Sequence, residues 1–244
     1  MPQRDLASFR AMTFDIIGTL IDYETGVLDF FRPRLEAEGI SPSDDEVLEA
    51  YAREEKTQQE LHPDKNTMDI FMLAWPGICK DLGLRPSAAP AEEYIASAKA
   101  WEPFPDSIEA LDYLKQHYTL AAITTGSQTA ADSFQQKLQR PFVHLFTADL
   151  LGYAKPDKRA FHGALDRLAK EGIAKEDILH VAQSQYHDIP PAKEIGLPVV
   201  WIERRHGRKS LGGTPIPDGG IVQPDHHATS MADFVAQIKK AKAQ

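Results

Sequence analysis

The sequence predicts an α/β fold: a doubly wound parallel sheet whose first strand is separated from the others by an inserted, all-helical cap domain. Three observations predict it. Residues 11–17, Ala-Met-Thr-Phe-Asp-Ile-Ile, form a short apolar run that stops at Gly18-Thr19, the pattern of a buried strand ending in a tight turn. From Glu24 to Trp101 apolar residues recur at helical spacing and no strand pattern intervenes. Beyond Pro105, helix and strand patterns alternate, as they must where parallel strands are joined by helical crossovers.

In chain order, the cap helices are marked by Val27, Leu28, Phe30, Phe31 and Leu35, then Val47, Leu48 and Tyr51, then Ile70, Phe71, Leu73 and Ala74, and last Tyr94 and Ala98, with Pro42, Pro63 and Gly83 between them. The core resumes with a helix from Asp106 to His117, a strand from Thr119 to Thr124, a helix from Gln128 to Leu138 and a strand from Val143 to Thr147. A helix from Lys158 to Lys170, a strand from Ile178 to Ala182, a helix from Pro190 to Ile195 and a strand from Pro198 to Ile202 follow. Arg204 to Pro224 reads as a Gly/Pro-rich loop, and Ser230 is placed to cap a final helix. The predicted division is a core of residues 1–22 and 103–244 and a cap of residues 23–102.

Composition narrows the function. Hydrophobic residues make up 42% and charged residues 26% of the 244, an ordinary globular balance. The 27 Lys+Arg against 36 Asp+Glu give a charge of −9, a field that repels nucleic acid and anionic lipid, so neither is an expected partner. Cys79, the single cysteine, lies in an apolar run without a nearby histidine and reads as a packed residue. No h-region or membrane span is visible, and a cytoplasmic location is the expectation. Trp75 and Trp101 read as cap core, and His226-His227 as plain surface.

In an open parallel sheet, ligands sit beyond the carboxyl ends of the strands. Those ends carry Asp15 and Thr19, then Thr124 and Thr125, then Lys155 in the loop before the Lys158 helix, then Ser184, Tyr186, His187 and Asp188. A carboxylate in a dry cationic pocket is a competent nucleophile, and a lysine within about 4–6 Å keeps it ionised. Asp15 is therefore the candidate nucleophile, Lys155 its counter-ion, Thr19 an orienting hydroxyl and Asp188 a group that positions Lys155 or a water. Thr124, Thr125, Ser184 and Tyr186 are candidates for contact with substrate, and His187 reads as a hydrogen-bonded structural imidazole.

These segments, Phe14-Asp15-Ile16-Ile17-Gly18-Thr19-Leu20, Ala122-Ile123-Thr124-Thr125-Gly126-Ser127, Tyr153-Ala154-Lys155-Pro156 and Tyr186-His187-Asp188 through Gly196-Leu197-Pro198, resemble the four ordered motifs of the haloacid dehalogenase superfamily. Family phosphatases carry a second Asp where Ile17 stands, to protonate the leaving alkoxide, and hold Mg²⁺. The branch this sequence resembles, the (S)-2-haloacid dehalogenases, needs neither metal nor other cofactor. That resemblance implies attack by Asp15 on the α-carbon of a small carboxylic acid, a substrate-facing Ile17, an Arg53 on the cap that binds the substrate carboxylate or the leaving halide, and a homodimer. Ile178 to Asp188 and Trp201 to Gly207 also resemble the L-azetidine-2-carboxylate hydrolase group, which opens a strained ring at carbon with the same aspartate. A fold retained for binding alone, with catalysis lost at Ile17, is the reading from another class.

Overall fold

A computed structural model of the protein describes residues 4–85 and 90–243. Six strands, β1 (Ala11–Phe14), β2 (Thr119–Thr124), β3 (His144–Thr147), β4 (Ile178–Ala182), β5 (Val199–Ile202) and β6 (His226–Ala228), form one sheet in the order β3-β2-β1-β4-β5-β6. All five pairings are parallel. Because β1 lies between β2 and β4 and is covered on both faces, all four of its residues are buried. The two-residue period of a strand divides the side chains between two layers. Met12, Phe14, Leu120, Ala122, Leu179 and Val181 enter one, with α5 (Ser107–Leu114) and α10 (Met231–Lys242). Ala11, Ala121, Ile123, Ile178 and Ala182 enter the other, against α8 (Lys158–Lys170) and α9 (Ile189–Glu194). The remaining crossover helices are α6 (Gln128–Lys137) and the single-turn α7 (Ala148–Leu151).

Between β1 and α5 run α1 (Tyr23–Ala37), α2 (Asp44–Leu61), α3 (Thr67–Leu82) and α4 (Pro90–Ala98). They pack on an aromatic centre in which the rings of Phe71 and Tyr94 stack at 3.5 Å and Phe30 meets Phe71 edge-on at 6.0 Å. Cys79 is fully buried there, and burial pushes its thiol up to about 11, as a packed cysteine requires. Two neighbouring arginines tie the loop after β5 to the rest. Arg204 donates to Asp106 at 2.8 Å and to the Thr19 carbonyl at 2.8 Å. Arg205 donates to Glu24 at 2.6 Å and pairs with Asp45, both from the helical insertion.

Two features depart from the sequence pattern. The apolar run at residues 11–17 is strand only to Phe14, because the chain turns at once: the Leu20 and Ile21 amides both donate to the Ile16 carbonyl, and Gly18 takes a φ of 89°. A Cβ at Gly18 would also lie 3.0 Å from the Tyr23 ring, so a side chain is excluded on two counts. The second departure is β6, a three-residue edge strand that was read as loop, in which His226 is buried and His227 exposed. His226-His227 is therefore not plain surface. A segment that short and polar offers no periodic signal.

Candidate active site

Parallel strands end on the same side, so the turn after β1, the turn after β2, the segment before α8 and the segment after β4 converge. Asp15, Lys155 and Asp188 meet there and are all but fully buried, with 4%, 1% and 0% exposure. The Lys155 ammonium donates to Asp15 Oδ1 at 2.9 Å and to Asp188 Oδ1 at 2.6 Å. Thr19 donates to Asp15 Oδ2 at 2.6 Å, and its oxygen accepts from the Gln183 amide at 2.8 Å, which fixes the direction of the hydroxyl. His180 Nε2 donates to Asp188 Oδ1 at 2.9 Å, while Nδ1 accepts from the Thr13 hydroxyl at 2.9 Å. Asp188 Oδ2 is buried and, among the described residues, has no hydrogen-bond partner.

Burial pushes the Asp15 carboxyl up, opposed by the Lys155 charge and the Thr19 hydroxyl and reinforced by Asp188. Asp188 goes the other way: burial raises it, but the Lys155 charge and the His180 hydrogen bond outweigh that and hold it at about 2. Burial lowers Lys155, and its two carboxylate neighbours more than restore it. The trio is a lysine shared between two acids, with Asp188 the firmly ionised one.

The cavity above Asp15 is small, about 30 Å³, room for little more than a water molecule in this conformation. Core elements give it Asp15, Ile17, Thr125, Gln183, Ser184, His187 and Asp188, and the loop after β5 closes over it with Gly213, Thr214 and Pro215. Thr214 is held by Gln183, whose amide nitrogen donates to its hydroxyl at 2.9 Å. The insertion supplies Tyr23, Tyr51, Glu55 and Thr67, and Trp101 stands at its end. Thr67 joins the two parts, its hydroxyl donating to that of Thr125 at 2.8 Å.

Most of the predicted residues gather here, and three do not. Arg53 lies on the outer face of α2, 58% exposed by side chain, and donates to Asp81 Oδ2 at 2.6 Å; it does not border the cavity. Thr124 accepts from the Gly126 amide at 3.2 Å and serves the turn, not the cavity. Tyr186 stands outside too, its ring edge-on to His187 and 5.7 Å from the Lys56 ammonium. Trp101, read as cap core alone, is both buried and part of the cavity wall.

His187, half-buried, is hydrogen-bonded at both ring nitrogens, as a structural imidazole would be, and it joins core to insertion at the cavity edge. Its Nε2 bonds to Gln59 Oε1 of α2 at 2.8 Å and its Nδ1 to Ser184 Oγ at 3.1 Å. Burial lowers its pKa to about 4. Between about pH 6.5 and 4 the unfolded chain takes up a proton that the folded His187 refuses, so stability is expected to fall by about 3 kcal/mol over that window. Urea unfolding at intervals of pH checks this, and His187→Gln should flatten the slope.

Among the residues the sequence did not yield, which include Tyr23, Thr67, His180, Gln183 and Thr214, are Glu55 and Gln59 of α2. Tyr51, Glu55 and Gln59 follow one another at four-residue spacing, so they form a single stripe, and all three are buried. Arg53 is two residues from Tyr51, about 200° around the helix. Extending the stripe from Tyr51 was the available signal. Among the described residues, the three-residue cluster of metal-capable side chains is Glu203, His206 and His227, which does not border this cavity. No described helix is long and apolar enough to cross a membrane.

A parallel sheet with a helical insertion over its carboxyl end, and a buried Asp-Lys-Asp trio on the strand ends, defines a hydrolase class with an aspartate at its centre. The sequence profile of the haloacid dehalogenase-like hydrolases matches residues 9–196, most of the chain, and the protein belongs to that family. It is 23% identical over 214 residues to an (S)-2-haloacid dehalogenase of Pseudomonas putida, covering 83% of this chain and 88% of the relative. It is 24% identical over 241 residues to (S)-2-haloacid dehalogenase 4A of Burkholderia cepacia, covering 96% of each. The L-2-haloacid dehalogenase of Xanthobacter autotrophicus, solved with chloropropionic acid covalently bound, superposes with a TM-score of 0.71 at 15% identity, over 95% of this chain and 98% of that one. At that identity the likeness is one of fold.

Proposed function

We propose that the protein attacks carbon with the Asp15 carboxylate, on a small 2-substituted carboxylic acid, and frees the product by hydrolysing the aspartyl ester so formed. Ile17 carries this reading. Its side chain borders the cavity with Asp15, at the position from which a second acid would protonate a leaving alkoxide, and a hydrocarbon transfers no proton. Phosphate-ester hydrolysis is disfavoured on that ground, whereas a halide departs without a proton. The relatives' names, and the ligand bound by the Xanthobacter protein, support dehalogenation of a 2-haloacid as the first activity to test.

In this reading an Asp15 oxygen forms a bond to the α-carbon as the bond to the halogen breaks, its electron pair leaving with the halide, and configuration inverts. Water then attacks the Asp15 ester carbon and restores the carboxylate. Lys155 and Thr19 hold Asp15 in one orientation, Thr125 offers a hydroxyl to the substrate carboxylate, and Asp188 Oδ2, without a hydrogen-bond partner among the described residues, is the acceptor for the hydrolytic water. A second reading, opening of an L-azetidine-2-carboxylate-type ring, uses the same nucleophile and is favoured by the acid on the cap wall, Glu55.

The test is incubation in EDTA with (S)- and (R)-2-chloropropionate and L-azetidine-2-carboxylate, following halide and ring-opened product. Repeated turnover in ¹⁸O-water should place label in the peptide containing Asp15. Turnover without label there, or phosphate release from esters in preference to all three compounds, would overturn the proposal.

A further inference from the structure

We propose that Glu55, on the cap wall of the Asp15 cavity, recognises a protonated amino group of the substrate, so that the substrate is a small amino acid and not a plain haloacid. The inference rests on the reading of this cavity as the substrate site. Three observations carry it.

First, the cavity lining offers no cation. Asp15 and Asp188 border it and share one ammonium, that of Lys155 beneath the surface, so the trio is net negative; Glu55 borders it too, and among the described residues no arginine or lysine does. Arg53, the cation the sequence offered, faces away. A ligand bearing only a carboxylate would meet uncompensated negative charge, and a ligand that also carries an ammonium would not.

Second, Glu55 is 8% exposed, and among the described residues no hydrogen bond or ion pair reaches its carboxyl group. Burial alone raises its pKa to about 8. A buried carboxyl without a partner is costly unless a ligand supplies one. Third, its companions on the cap side of the wall are aromatic. Tyr23 lies 6.5 Å from Tyr51 and 6.3 Å from Trp101, ring centre to ring centre, and such faces attract a cation. The titratable groups around Glu55 are Tyr23, Tyr51 and Tyr94 on its own side, and Asp15, Tyr186, His187 and Asp188 on the core side. None of these is a competing cation at neutral pH, since burial lowers His187 to about 4.

The experiment is calorimetric binding of three unreactive pairs, glycine and acetate, β-alanine and propionate, 4-aminobutyrate and butyrate, to the wild type, Glu55→Gln and Asp15→Asn. At least one amino acid is expected to bind the wild type ten-fold or more tightly than its partner acid. Binding at pH 7 should release a proton as Glu55 ionises beside the ammonium, read from the dependence of the heat on buffer. Glu55→Gln should lose both the preference and the proton release, with a thermal midpoint at pH 8 no lower than the wild type's to show it is folded. Equal or tighter binding of the plain acids, no binding of any amino acid, or a preference that survives Glu55→Gln would overturn the assignment. Asp15→Asn separates the two readings: if it still turns over substrate, the nucleophile is wrong, while its amino acid preference reports on Glu55 alone.

Discussion

Asp15→Asn is expected to lower turnover by about 10⁴-fold or more while leaving the fold intact. The amide is nearly isosteric, and it cannot form the ester. It also removes one of two buried anions that share a single lysine, leaving Lys155 paired with Asp188 at 2.6 Å, a balanced pair that His180 supports at 2.9 Å. Thermal unfolding of the variant should therefore show a midpoint equal to or above that of the wild type. Halide or ring-opened product at more than a hundredth of the wild-type rate would show that the nucleophile lies elsewhere.

Lys155→Met should cost both stability and activity. The methionine fills the space of the lysine stem but leaves Asp15 and Asp188 buried without the cation between them. Removing one partner of a buried ion pair costs about 3–5 kcal/mol, because the other charge remains. Urea unfolding would read this loss, and adding Asp188→Asn to Lys155→Met should recover part of it. Activity should fall by about 10³-fold or more: burial and the neighbouring Asp188 already push Asp15 up, and without the ammonium it is held protonated and ceases to be a nucleophile. A variant that keeps wild-type stability would show that the two acids share a proton at no cost, and would remove Lys155 from the account of how Asp15 stays ionised.

The strand ends were legible in the sequence because the local signals agree with the topology. An acid closing an apolar run, a hydroxyl four residues on, a lysine before a helix and an acid after a strand need only the rule that parallel strands end together to become neighbours. Asp15, Thr19, Thr125, Lys155, Ser184 and Asp188 were reached in that way; Ile17 came from the family resemblance, and the buried Cys79 from the apolar run around it. Thr124 and Tyr186 shared those segments and still fell outside, since adjacent residues at a strand end point in opposite directions and a turn can carry either one away.

What only the tertiary structure decided was the far wall of the cavity. A helix shows the same sequence whichever way it is rotated, and the face it turns inward is set by how four helices pack on one another and dock on the sheet. Two residues along α2 exchange an exposed Arg53, paired with Asp81, for a buried Glu55 that has no hydrogen bond or ion pair among the described residues, so an acid and not a cation borders the cavity. The fold and the meeting of Asp15, Lys155 and Asp188 follow from local chemistry in the chain. Which face of α2 borders the cavity is set by a rotation that no local pattern specifies, because helix packing is a long-range property of the whole core.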